Sequence, residues 1–278
     1  MGLLHAHLGL DRVESGWELT ADRTWWGHNA LFGGYAQAFV LAAMRAELDH
    51  DGPGTAESMP VRSMTMHFLR PFQDGRHRVD AEVIRRGRSM ANVTARSEAA
   101  EKVMGHAMAN FGVERDLSTG NYTTVEMPPV EPWHPDEEPV VSEVGVPTHT
   151  LFDFYPRLGG LAYGGQRSTA EAGGWVRPRF DTPIDESLLT MLADLWLPAT
   201  YQRWDNPLVA VSIDITLHFR APMPGGIEPG TPLFVRLRTA QSGRGVVDED
   251  GEVWSPDGRL LLQSRQMRYV TEVPSPMG

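Results

Sequence analysis

The chain predicts an α+β fold in which one unit, a helix followed by an antiparallel meander of four strands, is written twice. Three observations carry this: two helical stretches about 150 residues apart, four strand-like runs after each, and a nine-residue segment that recurs. The first helix reads from Gly33 to Leu48, GGYAQAFVLAAMRAEL, where a double glycine gives way to good helix formers. Strands are expected over 61–71, 76–86, 88–99 and 102–114, with turn residues at Gln73-Asp74-Gly75, at Gly87 and between Glu98 and Lys102. The next stretch, including EMPPVEPWHPDEEPVVSEVGVP, is rich in proline and acid, cannot sustain a helix, and reads as an extended connector. A second helix is expected over about 184–200, IDESLLTMLADLWLPAT, with Thr182 or Asp181 as N-cap and Pro183 near its first turn. Strands over 208–221, 231–242, 244–254 and 259–271 repeat the first order, so the chain divides into residues 1–115, a linker 116–148, and 149–278.

The repeat is visible in residues. MTMHFLRPF (64–72) aligns with ITLHFRAPM (215–223), matching threonine, histidine, phenylalanine and proline, and Gly87-Arg88 pairs with Gly243-Arg244. The second copy is five residues longer between its proline and its Gly-Arg, a difference the GGIEPG loop near 225–230 absorbs. A period this long indicates duplication of a whole domain rather than a solenoid; the competing explanation is chance likeness between two β-hairpins.

Composition narrows the chemistry. With 278 residues and 41% hydrophobic residues the chain can bury a substantial core. No stretch approaches the ~20 apolar residues of a membrane helix, and the start, MGLLHAHLGLDRVESGW, lacks the basic and apolar regions of a secretory signal, so a cytoplasmic location is expected. The absence of cysteine excludes disulfides, a thiol nucleophile and thiolate metal sites. A net charge of −11 argues against a general nucleic-acid binder. Lys102, the only lysine, sits in an ordinary charged segment, SEAAEKV, which disfavours Schiff-base chemistry. His5 and His7 have no partner ligands at recognisable spacing, so neither a metal nor another cofactor is expected, and no G-x-S-x-G elbow is present.

A helix wrapped by an antiparallel sheet, twice in under 300 residues, resembles the double hot dog acyl-CoA thioesterases of the TesB type. WWGHNALFGGYAQAFVLAAM, SMTMHFLRPF and VIRRGRSM in the first half, then LADLWLP, VSIDITLHFRAP, SGRG and QSRQMRYV in the second, follow that family's order and approximate spacing from about residue 15 to 272. The resemblance implies two hot dog units joined in one sheet, an acyl-CoA substrate, and a homo-oligomer of double hot dogs. It also implies a catalytic trio of Asp194, Ser212 and Gln266. One departure is Ile215, which follows Asp214 where the family commonly has a histidine.

Each position also has a reading of its own. Asp194 stands in LLTMLADLWLP among apolar neighbours, so its carboxylate is desolvated, held by specific hydrogen bonds, or turned to the solvent edge of the helix. Ser212 alternates with Asp214, Thr216 and His218 on one strand face, opposite Val211, Ile213, Ile215, Leu217 and Phe219; that polar row fits either solvent or a cleft. Gln266, between Arg265 and Arg268 in LLLQSRQMRYV, is by itself a polar strand residue. Carried back through the repeat, the trio falls at Ala43, Val61 and Ala109, none of which moves a proton, so one active site per chain is expected. Gly33 and Gly34 are candidates for exposing oxyanion-binding N–H groups at the helix start, or for tight helix packing. Arg88 and Arg244, on the two Gly-Arg turns, suit CoA phosphates or plain surface. Trp25, Trp26 and Trp196 fit an acyl tunnel or ordinary core. Two further readings stay open: a hot dog dehydratase using His218 and Asp214, and an acyl-CoA-binding protein without turnover.

Overall fold

A computed structural model describes residues 3–272 apart from 117, 143, 162, 166, 206–207 and 222–225, and apart from the side chains of Leu3, His5 and Glu272. Pro222, Met223 and Gly225 of the second repeat therefore lie outside the described residues. Short elements α1 (Leu3–His7), β1 (Asp11–Val13) and β2 (Gly16–Ala21) precede the long helix α2 (Gly33–Asp51). The one-turn α3 (Thr55–Ser58) leads into β3 (Val61–Phe68), β4 (Gly75–Arg86), β5 (Met90–Ala99) and β6 (Lys102–Gly112). The second half runs β7 (Phe152–Leu158), β8 (Glu171–Pro178), α4 (Glu186–Leu195), β9 (Leu208–Phe219), β10 (Leu233–Arg238), β11 (Ser242–Gly243), β12 (Val246–Trp254) and β13 (Leu260–Glu272).

One antiparallel sheet contains all the described strands, in the order β1-β2-β4-β5-β6-β3-β9-β13-β12-β10-β8-β7, with β11 beside β12. Outward from the centre the two sides match strand for strand: β3, β6, β5, β4, β2, β1 against β9, β13, β12, β10, β8, β7. At the centre Thr65 pairs with Thr216, their hydroxyl oxygens 2.9 Å apart. These are the threonines that the sequence repeat aligns, so the local two-fold axis of the duplication passes between them.

The meanders and both helices follow the sequence pattern, and four strands do not. β1 and β2 are short, while β7 carries Pro156 and β8 carries Gly173 and Gly174, residues that normally argue against a strand interior. Proline is tolerated because β7 is the edge of the sheet. The glycines are required there, since a methyl at Gly174 would stand 2.2 Å from the Tyr155 carbonyl oxygen. The second helix is shorter than expected and differently capped. Asp185, rather than Thr182 or Asp181, accepts the Leu188 N–H at 3.0 Å, and the Leu197-Pro198 step disfavours helix, leaving a 3-10 turn over Ala199–Arg203.

Both helices share one apolar core against the same sheet face. They run antiparallel, with Gly33 beside Asp194 at one end and Arg45 paired with Glu186 at the other. Gly34 permits the approach: a methyl there would stand 2.8 Å from the Met191 carbonyl oxygen and 2.6 Å from the Phe32 ring. On the opposite face, Tyr155, Trp175, Phe234 and Trp254 form a row across β7, β8, β10 and β12. The proline-rich connector packs over this row through Met127, Val130 and Trp133, and the Glu131 carbonyl accepts the Trp175 indole N–H at 3.0 Å. Apolar burial and that bond hold the connector in place without regular structure. Among the described residues no helix is long and apolar enough to cross a membrane.

His149 braces the end of α4. Its Nε2–H donates to the Leu195 carbonyl at 3.1 Å while Nδ1 accepts from the Ser142 hydroxyl at 2.7 Å. Burial lowers its pKa to about 4, so it folds as the neutral ring. The unfolded chain binds that proton below about pH 6.5, so folded stability is full above that value and falls as the pH drops towards 4. We expect a loss of roughly 3 kcal/mol across this window in urea titrations, and a flatter profile for His149→Gln; equal slopes would contradict the assignment. A second expectation concerns the helix contact: Gly34→Ala lowers stability by about 1–3 kcal/mol through overpacking, read as a lower urea midpoint at unchanged slope.

Candidate active site

Three elements converge on a cavity of about 500 Å³ between the N-terminus of α2 and the C-terminal half of the sheet. Its apolar wall includes Phe32, Phe68, Phe72, Trp196 and Val211, and its polar wall includes Asp194, Ser212 and Arg268. Asp194 arrives from the last turn of α4. Of its alternative environments the structure selects the hydrogen-bonded one: Oδ1 accepts from Arg268 Nη2 at 2.8 Å and from Gln266 Nε2 at 3.4 Å. Oδ2, with no protein hydrogen bond among the described residues, lies against Gly33, where a methyl would be 2.6 Å away.

Ser212 reaches the site through an irregularity. Met267 pairs with Asp214 but Arg268 pairs with Ser212, so Ile213 is an extra residue in the β9–β13 ladder. This β-bulge turns Ser212 onto the same face as Ile215 and Leu217, correcting the strict alternation that grouped it with Asp214, Thr216 and His218. The latter three point to the opposite face, so His218 and Asp214 do not line the cavity and the dehydratase pair is not assembled there. Ser212 donates to Gln266 Oε1 at 3.1 Å, and the amide of Gln266 donates onward to Glu249 Oε1 at 2.8 Å. Gln266 is buried and does not itself line the cavity.

Two residues that the sequence reading did not single out complete the cluster. Glu249, fully buried on β12, accepts Arg268 Nε at 3.0 Å and Nη2 at 2.7 Å through Oε1, and the Ala199 N–H at 2.7 Å through Oε2. Burial pushes the Glu249 pKa up, and the Arg268 guanidinium opposes that rise. For Arg268 burial pulls the pKa down, but the Glu249 and Asp194 carboxylates more than offset this and leave it raised. Both carboxylates therefore share one guanidinium.

The first half carries the same framework without the chemistry. Gln266 pairs with Ile215 as Ala109 pairs with Met64, and Arg268 pairs with Ser212 as Phe111 pairs with Val61, across a matching bulge. Glu249 pairs with Gln266 as Val93 pairs with Ala109. Asp194, Ser212, Glu249, Gln266 and Arg268 thus correspond to Ala43, Val61, Val93, Ala109 and Phe111, all five buried. Comparing every strand of the repeat would have flagged Glu249 and Arg268.

The remaining candidates separate. Gly33 lines the cavity and Gly34 packs beneath it. Arg244 stands on the turn next to Gly245, whose carbonyl accepts the Val270 N–H at 2.9 Å, at the Arg268 end of the sheet; Arg88 holds the equivalent turn beside the apolar cluster. Neither lines the cavity. Trp196 does, whereas Trp25 is core, stacked on Tyr35 at 5.0 Å, and Trp26 lies outside the wall. His7 accepts the Trp25 indole N–H at 3.0 Å, and the His5 side chain lies outside the described residues.

Family models match nearly the whole chain: an acyl-CoA thioesterase N-terminal domain over residues 22–112 and an acyl-CoA thioesterase C-terminal domain over residues 125–270. No curated protein matched. Among solved structures, a hot dog protein of unknown function from Alicyclobacillus acidocaldarius superposes with a TM-score of 0.83 at 23% identity, covering 97% of this chain and 98% of its own. The tesB protein of Mycobacterium avium subs paratuberculosis gives 0.75 at 19% identity, covering 96% and 98%. An acyl-CoA thioesterase II from Mycobacterium marinum gives 0.71 at 18% identity, covering 99% of each chain. At these identities the structures establish the double hot dog fold, and the family models establish the lineage. The chain belongs to the acyl-CoA thioesterase family built from an N-terminal and a C-terminal domain of this kind.

Proposed function

We propose that the chain hydrolyses an acyl-CoA thioester to a free acid and CoA, using a water activated by Asp194. The observation that supports this most is the convergence of Asp194, Ser212 and Gln266 from a helix and two strands beside an apolar cavity, while the equivalent positions in the other half are apolar. A carboxylate with one oxygen committed to hydrogen bonds and the other turned to the cavity end of α2 suits a general base.

The reaction balances without a covalent enzyme intermediate. Water oxygen bonds to the thioester carbon, its proton passes to Asp194 Oδ2, and the carbonyl electron pair moves onto oxygen. Collapse of that oxyanion breaks the C–S bond, and Asp194 returns the proton to the departing sulfur. Ser212, held by Gln266, positions the water. The N-cap of α2 is Phe32, whose side chain caps nothing, so first-turn N–H groups stay available, and Gly33 on the wall is the nearest donor to the oxyanion. Phe32, Phe68 and Trp196 receive the acyl group, and Arg244, at the same end of the sheet as the site, is the better placed of the two turn arginines for CoA phosphate.

Thiol release from a panel of acyl-CoAs tests this reading. The unmodified protein is expected to turn over, and Asp194→Asn to lower kcat by about 10²- to 10⁴-fold with the fold intact by circular dichroism. Unchanged turnover in that variant would overturn the base assignment; tight acyl-CoA binding with no turnover by the unmodified protein would instead indicate a binding protein.

A further inference from the structure

We propose that Arg268 is a further catalytic residue of this site, donating to the attacking water and the developing oxyanion, and that Glu249 is the positioning residue that makes this workable. The inference rests on the reading of Asp194 as base. Its first ground is placement: Asp194, Ser212 and Arg268 line the cavity together and are hydrogen-bonded to one another or to the same partners, with Gln266 buried behind them. The cavity-lining cation in direct contact with the carboxylate is the Arg268 guanidinium, 2.8 Å from Asp194 Oδ1.

The second ground is the distribution of hydrogen bonds around that guanidinium. Nε and Nη2 are committed at 2.7–3.0 Å to Glu249 and Asp194. Among the described residues Nη1 makes only the longer contacts, 3.2 Å to Ser212 Oγ and 3.5 Å to the Ala210 carbonyl. Ser212 and Ala210 both line the cavity, so Nη1 is the corner able to exchange a weak contact for a charge-assisted bond to oxygen.

The third ground is charge. With both carboxylates ionised, Asp194, Glu249 and Arg268 sum to one negative charge. If Arg268 served Asp194 alone, proton transfer to Asp194 would strand a buried cation and the carboxylate would resist protonation. With Glu249 present, protonated Asp194 leaves behind a compensated Glu249–Arg268 pair, and the new oxyanion restores the original sum beside Nη1. Nothing in folding demands this arrangement, because Val93 and Phe111 fill the same two positions in the first half with apolar groups. The charged and titratable groups packed against Arg268 are Asp194 from α4, Glu249 from β12 and Tyr201 from the 3-10 turn; His28, Arg70 and His149 lie elsewhere on the cavity wall.

The first half also supplies the test. Glu249→Val with Arg268→Phe removes both charges together and copies packing the fold already uses, leaving Asp194 as the one charge of the cluster, still held by the Gln266 amide. This double variant is expected to fold, with kcat reduced about 10²- to 10³-fold, the loss typical of one oxyanion donor, and KM changed less than about 3-fold. Glu249→Gln, which leaves Arg268 to serve Asp194 alone, should also lower kcat with KM changed less than about 3-fold; it decides the matter if the double variant fails to fold. Wild-type kcat in the folded double variant, or an unchanged kcat in Glu249→Gln, would overturn the proposal. Full activity in Asp194→Asn would remove the base reading itself, whereas an inactive Asp194→Asn beside a fully active double variant would reject only the role of Arg268.

Discussion

Thr65 and Thr216 face each other across the β3–β9 ladder, and the register they mark fixes the rest of the molecule. Because the two central strands pair antiparallel at equivalent positions, the second half is the first rotated about that point, and both helices fall on one face of a continuous sheet. The same rotation makes α2 and α4 antiparallel neighbours. The start of α2 then meets the end of α4, which brings the first turn of α2, without a side-chain cap, and Gly33 against Asp194. The carboxylate proposed as base and the helix end proposed to bind the oxyanion come from different halves, so the candidate site depends on the duplication even though Asp194, Glu249 and Arg268 all sit in one copy.

That copy carries a burden its twin avoids. Burying two carboxylates and a guanidinium costs several kcal/mol per ion before their attraction is counted, and an apolar replacement of similar volume is often neutral or stabilising. The first half shows the apolar solution in place, with Ala43, Val61, Val93, Ala109 and Phe111 at equivalent positions. Retaining Asp194, Glu249 and Arg268 in the second half is therefore better explained by chemistry than by stability.

The repeated unit was legible because its signals are local: the glycine-initiated helix of α2, alternation in the meander strands, and turn residues between them. Strands β7 and β8 were not, because Pro156, Gly173 and Gly174 are breakers by local rules and acceptable only at a sheet edge or where backbones meet closely. Resemblance and the repeat brought Asp194, Ser212 and Gln266 forward, but the route by which Ser212 joins them, a bulge at Ile213, leaves no mark in an alternating pattern. Glu249 was hidden by its neighbours, since Asp248, Asp250 and Glu252 make VVDEDGEVW look like a solvated strand, although Val247, Glu249, Gly251 and Val253 share the buried face. Arg268 was similarly masked by Arg265, which points the other way and pairs with Asp248 and Asp250. Partners contributed by distant strands decide which of two like charges is buried, and those partners are set by register rather than by local sequence.

The central claim is one working site per chain, assembled in a duplicated fold from a charged cluster that its twin lacks. Calorimetric titration with a thioether analogue of acyl-CoA, which binds but cannot be hydrolysed, measures this directly. One equivalent bound per chain, abolished when the cavity wall is blocked by Gly33→Trp, is the predicted result, and two equivalent sites per chain would contradict the account.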